Sequence, residues 1–429
     1  MKKRTRRQKA IIRRRIFLSL CALVLVGAIA LITTIASLLS GDTDVITSSD
    51  TSSYKEEIKK EPDTFATVLS IGDIMVHQPQ LDGGKTSNGY DFSAFFKKAA
   101  ATYQKADLTV GNLELTFGGK EAGPYDGYPN FNTPDVLAQN IKQSGIDLLM
   151  TSNNHSYDTG FSGLKRTARI LKENGLEFTG TKETLSDPEY LVKEVNGIKI
   201  GIVNFTYETK GKDPNRKYLN GGAINAEAND YINTFSYQRL EKFYTQAQSV
   251  IDGMKQNGAE FITFYMHWGE EYQLTANNWQ KTIAQKLCNM GVDIIIGGHP
   301  HVVQPMELIR AEGSEHTTIC IYSLGNAVSN QRRELISSAR KGHTEDGVMF
   351  SYTLKKSDGK VSLQSVDVIP TWVHKYSNKG WKYTIYPIDG TNYSNVSSKL
   401  KESYSRTEAI LKNGLTECQQ HLGCEITFK

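Results

Sequence analysis

The sequence predicts an α/β fold over most of its 429 residues, and two observations support this class. From Thr64 onward, short apolar runs alternate with longer segments of helical periodicity, which is typical of domains that pack helices on sheets. Polar and ionisable side chains also gather directly after several of the apolar runs. Ligands bind at the carboxyl ends of strands in open α/β sheets, so this placement favours the same class.

The elements can be predicted in chain order from their periodicity. Strands are predicted at 65–72, 107–112, 147–152, 198–205, 260–267, 293–298, 318–324, 347–354 and 361–370. Helices are predicted at 91–104, 134–144, 160–174, 236–257 and 276–290. Together they predict one domain over residues 63–375. Residues 376–429 are polar, with a helical pattern at 396–413, and are predicted to form a C-terminal appendage.

The positive charge of the chain is concentrated at its start. Residues 1–15 contain nine Lys or Arg and no acidic residue, whereas the rest of the chain has more acidic than basic residues. A mildly acidic body argues against a nucleic-acid-binding protein. The positive-inside rule predicts that residues 1–15 are a cytoplasmic tail.

An uncharged apolar segment follows this tail. Residues 16–39 are long enough to cross a bilayer as a helix. A cleaved signal peptide is the alternative, because Ala28-Ile29-Ala30 has the small-x-small form of a cleavage site. The apolar run continues for nine residues beyond it, which favours an uncleaved transmembrane anchor. Residues 40–62 are rich in Ser, Thr and charged residues, a composition that predicts a flexible spacer. The orientation of the anchor then predicts that the main domain lies outside the cell.

The cysteines leave one question open. Cys288 and Cys320 lie in apolar helix and strand patterns and are predicted to be buried thiols. Cys418 and Cys424 lie six residues apart and could pair in an oxidising compartment. The sequence does not decide whether they do, because pairing depends on geometry.

Six predicted strands end in residues that can bind a metal ion or take part in catalysis. In chain order these residues are Asp73, Asn112, Glu114, Asn154, His155, His267, Glu271, His299, His301 and Asn326. Each has an ordinary alternative, such as a turn, a helix cap or a solvated face. Taken jointly, carboxylates, amides and histidines form a mixed oxygen and nitrogen ligand set that suits a divalent ion of the Mn, Zn or Fe type.

The stretch from Ile294 to Val303, IIIGGHPHVV, is the most specific part of this pattern. Glycines let the chain turn sharply after the strand, and Pro300 pushes His299 toward an extended backbone. His299 and His301 are then predicted to project to the same side of a stiff extended segment. Neutral imidazole is a common metal ligand, so this turn is predicted to bind the ion.

The motifs GDIM, GNLE, SNNHSYD, HWGEEY, GGHPHVVQP and YSLGN occur in this order between residues 64 and 330. Together they resemble the poly-γ-glutamate capsule biosynthesis (CapA-type) family of calcineurin-like metallophosphoesterases. The resemblance implies a metallophosphatase-type α/β/β/α sandwich, in which two facing sheets are flanked by helices. The N-terminal transmembrane helix and spacer are also similar to those of Gram-positive members.

The resemblance also implies roles for individual residues. It makes one or two divalent metal ions the cofactor, with the ligands Asp73, Glu114, Asn112, Asn154, His267, His299 and His301. Glu114 would be the bridging carboxylate. The catalytic residues would be Asp73 and His155, and His155 would be the acid that protonates the leaving group. Met75 stands where the broad superfamily has a histidine ligand, and His77 follows two residues later.

Three further residues near these motifs are weaker candidates for contact with a substrate. They are Asn326, Glu271 and Trp268. Core packing is the alternative for Trp268, a turn cap for Asn326, and a supporting position beside the ligands for Glu271.

Two functions are compatible with these features. The first is a membrane-anchored extracellular capsule protein that hydrolyses an anionic envelope polymer or a phosphoester. The second is a non-catalytic accessory subunit that binds or exports the capsule polyanion together with membrane synthase or export subunits. No His-Glu-x-x-His or Ser-His-Asp signature indicates a protease.

Overall fold

A computed structural model of the chain describes residues 62–213 and 216–429. The predicted basic tail, membrane anchor and spacer lie outside these residues, apart from Pro62 at the end of the spacer. Within the described part of the chain, no helix combines the length and apolar character that a membrane span requires.

The described residues form strands and helices in the following order. The strands are β1 (Thr64–Ile74), β2 (Lys85–Thr86), β3 (Gly89–Tyr90), β4 (Leu108–Leu113), β5 (Leu148–Met150), β6 (Glu177–Thr179), β7 (Leu191–Val195), β8 (Ile198–Tyr207), β9 (Tyr218–Leu219), β10 (Gly222–Ala223), β11 (Thr234–Phe235), β12 (Phe261–His267), β13 (Ile294–Gly298), β14 (Met306–Arg310), β15 (Thr317–Ile321), β16 (Asn326–Val328), β17 (Asp346–Ser357), β18 (Lys360–Ser377), β19 (Trp381–Pro387) and β20 (Glu425–Phe428). The α-helices are α1 (Gln78–Gly84), α2 (Ala100–Tyr103), α3 (Val136–Gln143), α4 (Gly160–Glu173), α5 (Leu240–Gln256), α6 (Asn278–Asn289) and α7 (Ser397–His421).

The first large sheet is mixed and has β1 near its centre. Its hydrogen-bonded order is β19-β18-β17-β1-β4-β5-β6, with β16 also paired to β1 and β20 to β18. Strands β1, β4, β5 and β6 are parallel, so their carboxyl ends share one edge. Asp73 pairs with both Asn112 and Asn326 at this edge, next to a register shift.

The second large sheet has the order β11-β8-β12-β13-β15-β14, with β7 paired to β8. Strands β8, β12, β13 and β15 are parallel. The register places His267, the last residue of β12, beside Gly298 at the end of β13. The histidines that follow β13 therefore start at the same edge as His267.

The two sheets face each other across a shared apolar core. Val68 and Val110 from the first sheet belong to the same buried cluster as Ile200 and Ile296 from the second. A second cluster lies between the other face of the first sheet and helices α3 and α4, and a third packs the second sheet against α5 and α6. This is the α/β/β/α layering that the resemblance predicts.

The C-terminal segment is part of the sandwich rather than an appendage to it. β19 and β20 both pair with β18 in the first sheet. Helix α7 contacts β18 and also β14 of the second sheet, and Leu411 and Leu415 enter the core between the sheets. The predicted appendage was wrong because residues 376–429 are polar on average. A single narrow apolar stripe on α7 is nevertheless enough to fill the space between the two sheets.

The buried Cys418 thiol lies in the same core, and neither Cys418 nor Cys424 is in a disulfide in the structure. Cys288 and Cys320 are also free and buried, as predicted from their apolar surroundings.

Truncating Leu411 is expected to destabilise the whole domain. Its side chain is fully buried, so Leu411→Ala removes methyl groups and leaves a cavity in the core. The free energy of unfolding should fall by about 2–5 kcal/mol in a denaturant titration. The exposed neighbour Lys412 is the control, and Lys412→Ala should stay within about 0.5 kcal/mol of the wild type. Equal effects of the two substitutions would show that α7 does not close the core.

Candidate metal centre

The carboxyl ends of β1, β4, β5, β12 and β13 bring the predicted ligands to one place between the sheets. Asp73 is the second-last residue of β1, where the chain passes very close to Gly325, just before β16. A Cβ atom on Gly72 would lie 2.0 Å from the Gly325 carbonyl oxygen, so only glycine fits there. The Asp73 carboxylate is fully buried and contacts Asn112 and His301 inside the site.

A first group of possible ligands consists of Asp73, Glu114 and His301. His301 Nδ1 lies 3.1 Å from Asp73 Oδ2, and His301 Nε2 lies 3.6 Å from Glu114 Oε1. One ligand atom from each of the three side chains lies within 4.8 Å of the other two. All three side chains are buried, so their donor atoms face one another and not water.

A second group consists of Glu114, His267 and His299. His267 Nε2 lies 3.4 Å from Glu114 Oε1, and the three donor atoms again lie within 4.8 Å of one another. Glu114 therefore belongs to both groups. This is the position that a carboxylate bridging two cations would occupy, as the resemblance predicts for Glu114.

The hydrogen bonding of Glu114 tests whether these side chains fit a metal ion. Both carboxylate oxygens of Glu114 are buried, and neither has a hydrogen-bond partner among the described residues. Within the same part of the chain, the buried Nδ1 atom of His299 also lacks a partner. Leaving a buried carboxylate without hydrogen bonds is costly, whereas a divalent cation would satisfy both Glu114 oxygens. The donor set therefore fits one or two divalent ions.

The two predicted amide ligands have different surroundings. Asn154 Oδ1 lies 2.7 Å from His267 Nε2, so the amide oxygen faces a ligand nitrogen inside the site. Asn112 donates its amide N–H to Asp73 Oδ1 at 2.7 Å, and its own oxygen accepts a longer hydrogen bond from Asn153. In this arrangement Asn112 holds the Asp73 carboxylate in place through its N–H, and its role as a metal ligand stays a prediction.

The backbone of the His-Pro-His turn differs from the prediction. An extended conformation for His299 is wrong, because its φ is 96°, and His301 has a φ of 55°. Left-handed backbone is uncommon for residues other than glycine and is concentrated at functional sites. Here it allows the His299 amide to donate to Asp73 Oδ2 while the His301 ring contacts the same carboxylate.

The predicted catalytic histidine, His155, forms a buried pair with Asp158. His155 Nδ1 lies 2.7 Å from Asp158 Oδ2, and the backbone N–H of Phe131 donates to the same oxygen. Burial lowers the pKa of His155, but the hydrogen bond and charge of Asp158 outweigh burial and raise it. The prediction omitted Asp158, although its position three residues after His155 in the motif could have identified it.

Met75 and His77 lie outside both ligand groups. Met75 is buried in the core against the outer helices. His77 caps α1, and its Nδ1 accepts a hydrogen bond from the Asn330 backbone. Burial lowers the pKa of His77 to about 3. His77 therefore does not replace the histidine that is missing at position 75.

The three weaker candidates occupy different positions. Trp268 is fully buried and donates its indole N–H to the Tyr322 carbonyl, so core packing, the alternative, is what the structure shows. Asn326 is also buried and donates to the carbonyl oxygen of His301, which braces the histidine turn. Glu271 is exposed beside the site.

A proton on His301 balances the buried negative charge in the absence of a cation. Burial alone would lower the pKa of His301, but the Glu114 and Asp73 carboxylates raise it to about 9. For Asp73, burial opposes ionisation, yet the hydrogen bond and charge of His301 lower its pKa overall. A cation binding between these side chains must displace this proton.

Metal affinity is therefore expected to increase with pH. His301 holds its proton at neutral pH and must release it to bind a cation, so affinity should rise about tenfold per pH unit and level off above about pH 9. Calorimetric titration with Mn²⁺ in buffers of different ionisation enthalpy should show release of about one proton per ion at neutral pH. An affinity that is the same at about pH 6 and about pH 8 would contradict this prediction.

Comparisons with known proteins agree with the motifs. The family profile described as "Bacterial capsule synthesis protein PGA_cap" matches residues 67–331. The chain is 26% identical over 317 residues to the PGA biosynthesis protein CapA of Bacillus subtilis (strain 168), covering 73% of this chain and 74% of that protein. It is also 26% identical over 328 residues to the capsule biosynthesis protein CapA of Bacillus anthracis, covering 75% and 71%. The calcineurin-like phosphoesterase YfkN from Bacillus subtilis aligns with a TM-score of 0.37 at 15% identity, over 81% of this chain and 98% of that one.

Proposed function

Because the chain belongs to the PGA_cap family of bacterial capsule synthesis proteins, we propose that it is a metal-dependent hydrolase acting in capsule biosynthesis. Its substrate would be an envelope polymer or a phosphoester. The observation that carries the proposal is the fully buried Glu114 carboxylate, which is shared by two groups of possible ligands and has no hydrogen-bond partner among the described residues. A purely structural site has no need to keep a buried carboxylate without hydrogen bonds.

The side chains of this centre have separate tasks in the proposed reaction. Asp73, Glu114, His267, His299 and His301 would hold one or two divalent ions. When bound, such ions polarise a phosphoryl or carbonyl oxygen and stabilise charge that develops on it. Asn112 and Asn326 keep Asp73 and the His301 turn in position through their hydrogen bonds.

His155 would supply the proton for the leaving group. Asp158 engages Nδ1, which leaves Nε2 as the nitrogen that can transfer a proton. The raised pKa of His155 keeps that proton bound close to neutral pH, where a general acid must be protonated at the start of the reaction. Asp158 orients the ring and stabilises its charged form, in the manner of other carboxylate-histidine pairs.

The cellular setting is part of the proposal. Residues 16–39 would anchor the protein in the membrane of a Gram-positive bacterium, with its main domain outside and its N-terminus in the cytoplasm. Its partners would be an anionic envelope polymer, such as the poly-γ-glutamate that names the family, and membrane synthase or export subunits. The acidic balance of residues 16–429 gives no support to nucleic acid as a partner.

The proposal is tested with the full-length protein purified in detergent. Metal content is measured first, and turnover is then followed on bis(p-nitrophenyl) phosphate and on γ-linked glutamate oligomers. Turnover should disappear on treatment with a chelator and return when Mn²⁺ or Zn²⁺ is added. Metal binding without turnover on either substrate would overturn the hydrolase proposal and favour a non-catalytic accessory role.

The alternative is a non-catalytic accessory subunit that binds or exports the capsule polyanion. One observation favours it, because the position of the usual histidine ligand is occupied by Met75 in the core. A site short of one ligand would bind a cation more weakly and could serve to hold an anionic chain without cleaving it. In that case polymer binding should depend on metal, and replacement of His155 should not affect it.

A further inference from the structure

His77 lies beside the metal centre, although it belongs to neither ligand group. Its ring packs edge-on against Phe131, with 5.2 Å between the centroids. Phe131 packs in the same way against His155, at 4.7 Å. Burial has the largest effect in lowering the pKa of His77, and positive charge on His301 and His155 lowers it further. Such charge effects weaken with distance, so His77 is close to one possible metal ligand and to the proposed acid.

The hydrogen bonds of the His77 ring fix which of its nitrogens carries the proton. The backbone N–H of Asn330 lies 3.3 Å from His77 Nδ1 and can only donate, so Nδ1 is an acceptor without a proton. Gln80 Oε1 also lies 3.3 Å from Nδ1, but the backbone N–H of His77 already donates to that oxygen at 2.9 Å. In a neutral imidazole the other nitrogen then bears the hydrogen. His77 Nε2 is therefore a hydrogen-bond donor.

The Nε2 donor of His77 has no hydrogen-bond partner among the described residues, and it is open to solvent. The rest of the residue is held firmly. Phe131 contacts the ring, and the Asn330 backbone fixes Nδ1. The loop before Phe131 also lies against the backbone, because a Cβ atom on Gly127 would be 2.4 Å from the Gln78 nitrogen. The ring can therefore present Nε2 to a ligand at little cost in conformational entropy.

Asn330 is itself anchored, and one of the contacts that anchor it brings positive charge. Its Oδ1 accepts hydrogen bonds from the Tyr383 hydroxyl at 2.6 Å and from Lys375 Nζ at 3.1 Å. The Lys375 ammonium is therefore bonded to a neutral amide next to the imidazole. Arg332 and Glu334 lie nearby as a pair of opposite charges. The charge of Lys375 thus remains to attract an anionic group to this side of the metal centre.

We infer that His77 is a substrate-binding residue, whose Nε2–H donates a hydrogen bond to an anionic oxygen of the phosphoryl or carboxylate group held at the metal centre. Phe131 contacts both histidines, so His77 and His155 would serve different oxygens of the substrate. A neutral donor suits this position, because it adds no positive charge beside the cations and the protonated His155. The inference rests on the proposed function for the reaction, but binding can be tested without turnover.

The test is calorimetric binding of two anionic probes, inorganic phosphate and a γ-linked glutamate decamer, by the full-length protein loaded with Mn²⁺. The parent protein and all variants carry His155→Asn, so that the decamer is not cleaved. The probe that the parent binds more tightly identifies the source of the anionic oxygen, and the His77 variants are compared on it. In His77→Asn the amide oxygen still accepts from Asn330, but no donor reaches the position of Nε2, and affinity should fall at least about tenfold. His77→Gln places an amide N–H at that position and should recover most of the affinity.

His316 provides the matched control, because it is also partly buried but precedes β15, at the edge of the second sheet opposite the metal centre. His316→Asn should leave the affinity within about twofold of the parent, and all variants should keep their metal, since neither histidine belongs to a ligand group. The inference is overturned if the parent binds neither probe, if His77→Asn binds as tightly as the parent or loses its metal, or if His77→Asn and His77→Gln lose equal affinity. The hydrolase proposal fails on a different result, the absence of metal-dependent turnover by the wild-type protein.

Discussion

Glu114→Gln is expected to weaken metal binding at least about 100-fold, because residues that only orient metal ligands already contribute about 10–100-fold. Glutamine keeps the shape of the side chain but removes the charge, and the shared carboxylate belongs to both ligand groups. Two ions, if two bind, should therefore be lost together. Metal content after dialysis and calorimetric titration with Mn²⁺ measure the effect.

The same substitution should not lower the stability of the metal-free protein. The two Glu114 oxygens have no hydrogen-bond partner among the described residues, so the protonated His301, 3.6 Å away, offsets only part of the cost of burying the carboxylate in the metal-free wild type. Metal-free Glu114→Gln should unfold at a temperature no lower than that of the metal-free wild type. Glu173→Gln, on an exposed face of α4, is the control for loss of one carboxylate. A variant that retains full metal content would show that Glu114 is not a ligand.

His155→Asn is expected to lower turnover by about 10²–10⁴-fold, the usual contribution of general acid catalysis, while metal content stays unchanged. The loss should depend on the leaving group. An alkyl phosphodiester needs the proton from His155 and should show the full effect, whereas p-nitrophenolate leaves unaided and should show a much smaller one. Paired assays on the two substrates therefore separate proton transfer from a general disturbance of the site.

Asp158 should act through His155. Asp158→Asn removes the charge that raises the pKa of His155, so the alkaline limb of the pH profile, where His155 loses its proton, should shift to lower pH. Because the two residues form one hydrogen-bonded unit, the double variant should be little worse than His155→Asn alone. Additive losses, or equal losses on both substrates, would contradict the role of the pair in protonating the leaving group.

Much of the site was predictable because parallel strands bring their carboxyl ends together. The sequence places Asp73, Glu114, His267 and the histidines after β13 at strand ends. Hydrogen bonding within the first sheet then makes neighbours of Asp73 and Glu114, and hydrogen bonding within the second brings His267 beside the histidine turn. That argument needs only the order and direction of the strands. Periodicity did not predict that two sheets pack face to face. That prediction came from the resemblance alone.

Other features depend on contacts that periodicity does not report. The left-handed backbone of His299 and His301 is stabilised by hydrogen bonds to Asp73, which lies far away in sequence. The predicted helix 91–104 is instead divided between a short 3-10 turn and α2, because its aromatic side chains pack in the core individually. The short edge strand β6 carries too few residues to show an alternating pattern.

The pairing of β20 with β18 has a consequence for how the protein is made. β20 pairs with residues 365–368 of β18, in the sheet where β1 pairs with β17, so this sheet is complete only once residues 425–428 have been made. Folding that relies on such distant contacts is slow, and the incomplete sheet exposes an unpaired edge meanwhile. Deletion of residues 425–428 should therefore yield a chain that aggregates in the cell, even though every proposed ligand is still present.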